Sequence, residues 1–407
     1  MSSTTLHASA STSRLRDALA ALPALAEEIG VDAAQREVRR ELPFAAFDAF
    51  RRSGLGALRI PAERGGLGGS LEDAIHVVTT LAAAESNVAH ALRVHFDVVE
   101  SMRLAPRTPF HDRQIRRIVE GALYGGASGE QGTARAGQIE TVLRREGDHF
   151  RVSGKKYYTT GTAYADFVRT NLVDEHGNGV TAIIPVRSEG LAVLDDWDGM
   201  GQRMTASGSV VFEDVRVEPA EVVEKGYPSL IGRHGGAYRQ LHLVAVAAGI
   251  VRNIVADARA YVTAHGRPVL HTTAPSARED VFIQQVVGEL SALSHSIDAL
   301  VRDNARTLGR SSDAILHADP AADELVLESA LATARTQIVV GRLALQAGER
   351  LFDAGGASAT SRKYNFDRHW RNLRTIFSHN PLSHKAKVIG DYVLNGVKTH
   401  LVEGRTF

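Results

Sequence analysis

The sequence predicts an α+β protein with three parts, an N-terminal helical domain, a central β domain and a C-terminal four-helix bundle. Two observations favour this order. Apolar residues recur at helical intervals of three and four from Ser13 to about Glu120, and again from about Ile231 to the end. Between these segments, β-branched and aromatic residues stand in short runs separated by turn residues, which is typical of strands. Segregated helices and strands are characteristic of the α+β class.

The N-terminal part begins with a tail and continues as helices. Residues 1–12 are rich in Ser and Thr and lack a continuous apolar stretch, so we expect a disordered tail there rather than a signal peptide. Helical spacing then predicts a helical domain over residues 13–122. Ser70 follows a glycine-rich turn and precedes an apolar periodic segment, which predicts that it caps a helix.

The other two domains are predicted over residues 123–228 and 229–407. The first contains strand-like runs and a turn at residues 175–179 (EHGNG), and we expect it to be β-barrel-like. The second contains long, alanine-rich helical segments, one of which ends at the paired glycines Gly355 and Gly356. Long helices joined by short connections predict a bundle.

The composition excludes several classes of protein. The chain has 407 residues with 47 Lys and Arg against 47 Asp and Glu, and zero net charge argues against a protein that binds nucleic acid through bulk electrostatics. It has no cysteine, which excludes disulfides and thiolate sites and suits a cytoplasmic protein. No uninterrupted apolar run reaches the ~18 residues needed to span a bilayer. Zinc-hydrolase and serine-hydrolase motifs are absent, so we expect no metal site.

Glycine runs and isolated histidines are weak signals on their own. The runs at residues 65–69 and 124–132 lack the spacing and the strand–helix context of a phosphate-binding loop, so most of their glycines are expected to form turns. The segment that starts at Gly126 (GASGEQGT) opens the β domain, where its backbone N–H groups could face a flat ligand. His95 lies in the middle of a helical segment, where a buried structural histidine is the more common outcome.

The run from Asp367 to Gly396 is the most informative part of the chain. It is rich in arginine and histidine and is predicted to form helix, loop and helix, with the first helix ending before Pro381. A basic loop that carries histidine can hold an anion and transfer a proton. An alternative for Arg371 and Arg374 is a structural pairing with carboxylates such as Asp367.

Four motifs, in order along the chain, resemble the acyl-CoA dehydrogenase superfamily. They are LPFAAFDAFRRSGLGALRIPAERGGLGGS, SGKKYYTTGTAYADFV, GMGQRMTASGSVVFEDVRVEP and LQAGERLFDAGGASAT. The resemblance covers nearly the full length, from about Leu42 to Gly396. It implies an acyl-CoA dehydrogenase-like fold, a flavin held between the β domain and the C-terminal helices, and a homotetramer.

Within that superfamily, the sequence is more similar to the flavin-dependent monooxygenases related to dibenzothiophene monooxygenase. Acyl-CoA dehydrogenases commonly carry a catalytic glutamate in a C-terminal turn, where this chain has His379-Asn380-Pro381. The motifs WDGMGQRMTASG, WRNLRT, HNP and IGDYVLNG carry the closer resemblance. It implies a two-component enzyme that takes reduced FMN, or alternatively FAD, from a separate reductase and forms a flavin C4a-hydroperoxide with O2. Such an enzyme would oxygenate a small aromatic or sulfur- or nitrogen-containing substrate.

The same resemblance implies roles for individual residues. Thr159 stands where a hydroxyl reaches flavin N5, His95 where a histidine faces the substrate, and His379 near the flavin. Arg267 stands where an arginine binds the flavin phosphate. The residues implied to be catalytic are His95, Thr159 and His379, and those implied to bind the cofactor are Ala127, Ser128, Tyr158, Thr159, Thr160, Trp197, Ser207, Arg267, Ser358, His379 and Asn380.

The sequence departs from the family at several positions expected to line the pocket. A histidine, a tyrosine, an asparagine and an arginine are expected where this chain has Ile376, Val99, Gly126 and Ser358. These differences predict a substrate other than dibenzothiophene. Two alternatives stay open at this point: an acyl-CoA dehydrogenase with a displaced catalytic base, and a flavin-free scaffold or binding protein.

Overall fold

A computed structural model describes most of the chain and shows helices, then a sheet, then helices, which confirms the predicted fold class. The residues it describes are 13–135, 137–224, 229–268, 270–403 and 406–407. The tail predicted for residues 1–12 lies outside the described residues. The predicted domain limits stay predictions, although a helix ends at Val119 and the first strand begins at Tyr124.

The N-terminal part is helical from residue 13, and residues 13–20 form its first turns. The helices that follow are α1 (Leu22–Gly30), α2 (Ala33–Arg39), α3 (Phe44–Ser53), α4 (Leu71–Ala84), α5 (Ser86–Ala91), α6 (Arg93–Leu104) and α7 (Pro109–Val119). Ser70 caps α4 as predicted, because its hydroxyl accepts from the Asp73 backbone N–H at 3.0 Å while the Asp73 carboxylate accepts from the Ser70 backbone N–H at 2.8 Å.

Strands form one curled sheet in the middle of the chain. They are β1 (Tyr124–Ala127), β2 (Val142–Glu146), β3 (His149–Lys156), β4 (Phe167–Val173), β5 (Gly179–Pro185), β6 (Leu191–Val193), β7 (Val210–Val217) and β8 (Val222–Glu224). Their order is β6-β7-β3-β2-β4-β5-β8, with β1 parallel to β4. The predicted turn at residues 175–179 joins β4 to β5.

Long helices dominate the C-terminal part. They are α8 (Leu230–Ala264), α9 (Val281–Leu316), α10 (Ala322–Arg350), α11 (Gly356–Ala359), α12 (Asp367–Ile376), α13 (Leu382–Asn395) and α14 (Thr399–Val402). Helix α8 packs against α4, α9 and α10, so the N-terminal helices and the C-terminal helices share one hydrophobic core. The predicted stop before Pro381 is confirmed, since α12 ends at Ile376 and Pro381 is the N-cap of α13.

Helix α8 is long and apolar enough to cross a membrane by length and composition, with a mean hydropathy of 1.5 over its most apolar 18 residues. Charged and polar residues interrupt this stretch, which is why no continuous apolar run was found in the sequence. However, 72% of that window is buried inside the protein. The apolar surface of α8 is therefore largely used by packing against the neighbouring helices.

Candidate active site

Hydroxyl groups fasten a turn after β3 to the loop that precedes β7. The backbone N–H and the hydroxyl of Thr159 both donate to the carbonyl oxygen of Gly208, at 3.2 and 2.9 Å. The hydroxyl of Thr160 lies 2.7 Å from that of Ser207, which lies 2.7 Å from that of Thr205. All four hydroxyl-bearing residues are buried. Because its hydroxyl and its backbone N–H both donate to Gly208 and the residue is fully buried, Thr159 holds the turn in place from behind.

An exposed aromatic surface borders this turn. Tyr158 is 57% exposed and has a φ of +61°, a conformation that is rare for a residue other than glycine. The ring of Trp197 lies 6.2 Å from that of Tyr158, edge to face, and its Nε1–H donates to the carbonyl oxygen of Gln202 at 2.9 Å. Unusual backbone conformations concentrate at ligand sites. Rigid hydroxyls beside the exposed Tyr158 ring and the half-buried Trp197 ring match what a flat, polar-edged flavin ring requires.

Gln202 connects this loop to two helices. Its backbone N–H donates to the Asn372 side chain on α12 at 2.6 Å. Its side-chain N–H donates to the Ser86 hydroxyl at 3.2 Å, and its side-chain oxygen, Oε1, lies 3.0 Å from Nδ1 of His90. The turn itself packs closely on the same helix, because a Cβ on Gly161 would lie 2.4 Å from the carbonyl oxygen of Ala91. The β domain, α5 and α12 therefore meet at this point.

His379 lies in the turn between α12 and α13, and its Nε2 is 3.4 Å from a terminal nitrogen of Arg93. Desolvation by nearby protein and, next, the charge of Arg93 hold the pKa of His379 well below its usual value, although the residue is exposed. The ring is therefore neutral near pH 7. Since a guanidinium can only donate, Nε2 is the acceptor and the ring proton lies on Nδ1.

Three arginines and one aspartate, Arg93, Arg169, Arg239 and Asp97, form what we call the arginine cluster. Arg169 contacts one carboxylate oxygen of Asp97 at 2.8 Å, and Arg239 contacts the other at 3.0 Å. Arg93 lies one turn before Asp97 on α6 and has no ion pair with any carboxylate in the described part of the chain. The sequence did not single out these residues, although the spacing of Arg93 and Asp97 places both on one helix face.

His95 lies on a different face of α6 from the arginine cluster. It is two residues from both Arg93 and Asp97, and residues so spaced point in nearly opposite directions on a helix. Its Nε2 lies 2.9 Å from the carbonyl oxygen of Gly56, and its ring is 1% exposed among Phe50, Phe96 and Tyr124. None of these contacts is to His379 or Thr159. The structure therefore does not bring His95 into contact with the other two predicted catalytic residues.

Buried histidines should make the protein less stable in weak acid. Burial lowers the pKa to about 3 for His90 and His242 and to about 4 for His95. Unfolded histidine binds a proton below its ordinary pKa of about 6.5, so the unfolded state binds more protons than the folded state between that pH and the folded pKa. The free energy of unfolding must therefore decrease as the pH is lowered through this window. The loss is about 2 kcal/mol for each ring between pH 7.5 and pH 5.

Urea unfolding at pH 7.5, 6 and 5 and at one protein concentration measures this loss. His95→Gln removes one ring and should reduce the fall by about 2 kcal/mol. His176→Gln, in an exposed turn, controls for the loss of an imidazole as such. An equal fall in the parent protein and in His95→Gln would contradict the expectation.

Arg267 and Ser358 lie at the other end of α8 from the residues described above. Arg267 is exposed in the loop after the helix. Ser358 is exposed in α11, beside Gly355, where a Cβ would lie 2.4 Å from the Tyr261 ring. Nε2 of His242 lies 2.8 Å from the carbonyl oxygen of Ala89 in α5, the helix on which the Thr159 turn packs. His242 therefore identifies the part of α8 that lies beside the site.

The rise of an α-helix places the end of α8 on the order of 33 Å beyond His242. That is further than a flavin mononucleotide extends. Within one chain, Arg267 and Ser358 therefore cannot bind the same flavin as Thr159.

Other predicted positions have simpler surroundings. Ala127 is buried in β1, where its carbonyl oxygen accepts from the Thr170 hydroxyl at 2.8 Å. Ser128 is exposed directly after it, and Asn380 is half-buried beside His379. At Gly126, a Cβ would lie 2.8 Å from the Val94 side chain, so the backbone leaves little room for the expected asparagine.

Ile376 and Val99 are both buried hydrophobic residues. Arg371 pairs with Glu37 at 2.7 Å and with Asp367 at 2.8 Å, which favours the structural alternative for this arginine.

Two family models match the chain. Residues 12–105 match the N-terminal domain of acyl-CoA dehydrogenase, and residues 241–384 match its C-terminal domain. These matches flank the sheet and agree with the order of helices and strands described above. The predicted acyl-CoA dehydrogenase-like fold is confirmed.

Individual proteins resemble the chain over nearly its whole length. The probable FMNH2-dependent monooxygenase SfnC of Pseudomonas putida is 33% identical over 390 residues, which cover 93% of this chain and 95% of SfnC. The crystal structure of FMN-bound TdsC, a dibenzothiophene monooxygenase from Paenibacillus sp. A11-2, has a TM-score of 0.86 and 29% identity, covering 94% and 98% of the two chains. Methanesulfinate monooxygenase MsuC from Pseudomonas fluorescens has a TM-score of 0.85 and 30% identity, covering 93% and 97%.

Proposed function

This chain belongs to the acyl-CoA dehydrogenase superfamily, in its branch of flavin-dependent monooxygenases, and on this premise we propose how its own residues hold FMN and serve the reaction. It is an oxidoreductase and FMN is its cofactor. The relatives favour oxygenation over the two alternatives, a dehydrogenase with a displaced base and a flavin-free scaffold. The proposed substrate is a small aromatic or sulfur- or nitrogen-containing compound.

One observation carries the assignment of the flavin site: the rigid hydroxyl turn beside the exposed Tyr158 ring and the half-buried Trp197 ring. Reduced FMN, when bound, supplies the electrons with which O2 is activated for transfer of one oxygen atom. In the proposed site, Tyr158 and Trp197 pack against the flavin ring. Thr159 fixes the conformation of the turn behind the flavin, since its β-branched side chain is stiff and its hydroxyl and backbone N–H both donate to Gly208. The Thr160–Ser207 pair orients the polar edge of the ring.

His379 is proposed to act on the substrate side of the flavin. Its neutral ring keeps the Nδ1 proton, because Nε2 faces the permanently charged Arg93. Nδ1–H can therefore donate a hydrogen bond to a developing negative charge without the ring becoming charged itself. We assign His95 a positioning role through Gly56 and the aromatic core around it.

A homotetramer with the flavin between subunits would reconcile the two separated groups of residues. Arg267 and Ser358 of one chain would then bind the phosphate of a flavin whose ring lies against Thr159 of another. Exposed apolar side chains at Leu394, Val393 and Phe282, which are 82%, 65% and 57% exposed, support burial against another subunit. We also propose that reduced FMN arrives from a separate reductase by diffusion, and that the absence of cysteine reflects a cytoplasmic protein.

The function is tested with photochemically reduced FMN. Under nitrogen, titration of the protein into FMNH2 should give saturable binding, followed by the change in flavin fluorescence. After mixing with aerated buffer, bound flavin should reoxidise at a different rate from free flavin and should transfer oxygen to a sulfur compound or to indole. No binding, or reoxidation as in buffer, would refute the proposal. Loss of the absorbance of bound oxidised FMN on addition of an acyl-CoA would instead identify a dehydrogenase.

His379→Ala should uncouple oxygen consumption from product formation. The variant loses the Nδ1 donor but no proposed contact with the flavin phosphate, so its affinity for FMNH2 should stay within a few-fold of the parent. A larger share of O2 should appear as hydrogen peroxide, measured against oxygenated product. His317→Ala, at the exposed end of α9, serves as the control. Unchanged coupling in His379→Ala would remove His379 from its assigned role.

A further inference from the structure

The arginine cluster contains more positive charge than its own carboxylate can balance. Both oxygens of Asp97 are already used, one by Arg169 at 2.8 Å and the other by Arg239 at 3.0 Å. Arg93 remains without an ion pair to any described carboxylate. Three guanidinium groups thus face a single carboxylate, which leaves the cluster with an excess of two positive charges.

Arg93 is the residue that most needs a further partner. Its Nε is buried and makes no hydrogen bond, and a terminal nitrogen faces the neutral His379 ring at 3.4 Å. Burial and then the nearby charge of Arg239 lower the pKa of Arg93 to about 10, so the group is still charged near pH 7. Arg93 is half-buried, and a charge that is partly removed from water without a counter-charge is destabilising. A site that retains such a charge is suited to a ligand that neutralises it.

The arginine cluster is partly accessible to solvent. The side chains of Arg169 and Arg239 are 30% and 34% exposed, whereas Asp97 between them is only 4% exposed. Arg93 and Val94 are half-buried, and His379 is exposed. The guanidinium groups of Arg169 and Arg239 are therefore partly accessible to solvent and are not closed inside the hydrophobic core.

We propose that the substrate is a small organic anion whose oxyanion group is bound by the arginine cluster, with Arg93 as the central contact. A guanidinium group presents paired N–H donors that match carboxylate-like oxygens, so a sulfinate or a carboxylate fits this site. The anion would supply the negative charge that Asp97 cannot. A neutral substrate such as dibenzothiophene or indole would leave Arg93 unbalanced. This inference rests on the proposed function and names the substrate class of the same site.

Binding to the flavin-free protein tests the inference directly. Methanesulfinate, benzenesulfinate and acetate are titrated by calorimetry at low chloride, with dimethyl sulfoxide as a neutral analogue of methanesulfinate. We expect saturable binding of at least one anion and none of dimethyl sulfoxide. Arg93→Gln should weaken the anion at least about tenfold, the loss of one charged contact. Arg93→Lys should retain more of the affinity, because it keeps the charge.

A matched control is Arg306→Gln, which removes a surface arginine that is paired with Glu72 and is 61% exposed. It should leave anion binding unchanged, and thermal unfolding shows that each variant is folded. Binding of none of the three anions, or equal binding by the parent and Arg93→Gln, would overturn the inference.

FMN and riboflavin distinguish the substrate from the flavin phosphate as the bound anion. If Arg93→Gln lost affinity for FMN but not for riboflavin, the cluster would hold the flavin phosphate and the substrate assignment would be wrong. If the parent bound FMN normally but bound none of the anions, this inference would be wrong and the proposed function would still stand. Failure of the parent to bind FMN at all would count against the proposed function instead.

Discussion

Replacing Arg59 with methionine should destabilise the protein by about 3–5 kcal/mol, because the buried carboxylate of Glu100 loses its bidentate partner and keeps only the more distant Arg103, at 3.5 Å, as a cation. Nε and one terminal nitrogen of Arg59 bind the two oxygens of Glu100, each at 2.9 Å. The side chains are only 4% and 2% exposed. Burial by itself would raise the pKa of Glu100, but the charge of Arg59 holds it well below its usual value. The pair joins the segment before α4 to α6, which carries the arginine cluster.

Arg306→Met is the matched control for Arg59→Met. Arg306 contacts Glu72 at 3.0 Å, nearly the distance between Arg59 and Glu100. However, the side chains of Arg306 and Glu72 are 61% and 45% exposed. An exposed pair contributes about 0–1 kcal/mol. Urea unfolding at one protein concentration measures both variants. The double variant Arg59→Met/Glu100→Leu should recover part of the loss, since no lone charge remains. Equal losses in the two single variants would contradict the role of burial.

Gly161→Ala should destabilise the protein by roughly 2–4 kcal/mol, because backbone strain and overpacking add. It should also lower the affinity for FMN by at least about tenfold. Gly161 has a φ of +79°, and a Cβ there would lie 2.4 Å from the backbone oxygen of Ala91. The turn that holds Thr159 and Thr160 would have to move away from α5. The hydroxyls would then no longer stand in the positions that the flavin ring requires.

Gly177→Ala separates the backbone strain from the clash. Gly177 has a φ of +81° in the turn between β4 and β5, and nothing lies within 4 Å of the Cβ position. Alanine there should cost about 1–2 kcal/mol through backbone strain alone and leave FMN binding unchanged. Unfolding and FMN titration are measured for both variants. If Gly177→Ala reduced FMN affinity as much as Gly161→Ala, the close approach to Ala91 would not be the cause.

Local rules were enough to predict much of the fold. The position of Ser70 before an apolar periodic segment predicts a helix cap, and the chemistry of Pro381 predicts a helix stop; both predictions are confirmed. These features depend on a few neighbouring residues. The family fold and FMN followed from motifs that are also local in the chain, such as the one around Trp197.

The arginine cluster could not be predicted in the same way. Its members come from α6, from β4 and from α8, and Arg169 and Arg239 are 72 and 142 residues from Asp97. Nothing local in the sequence indicates that these segments meet. His95 illustrates the opposite difficulty, because its position in the chain was clear but its direction was not. Because His95 is two residues from Arg93 on α6, its side chain points away from Arg93 and into the aromatic core.

Helix α8 sets a fixed length between the level of His242 and the exposed Arg267. One inserted residue would rotate everything beyond it by about 100° and advance it by about 1.5 Å, so Arg267 would face a new direction. The turn at residues 175–179 is exposed and is held by hydrogen bonds to the adjacent Asp174, so a change in its length alters only local structure. Among natural variants of this protein, changes in length should therefore collect in that turn and be absent from α8.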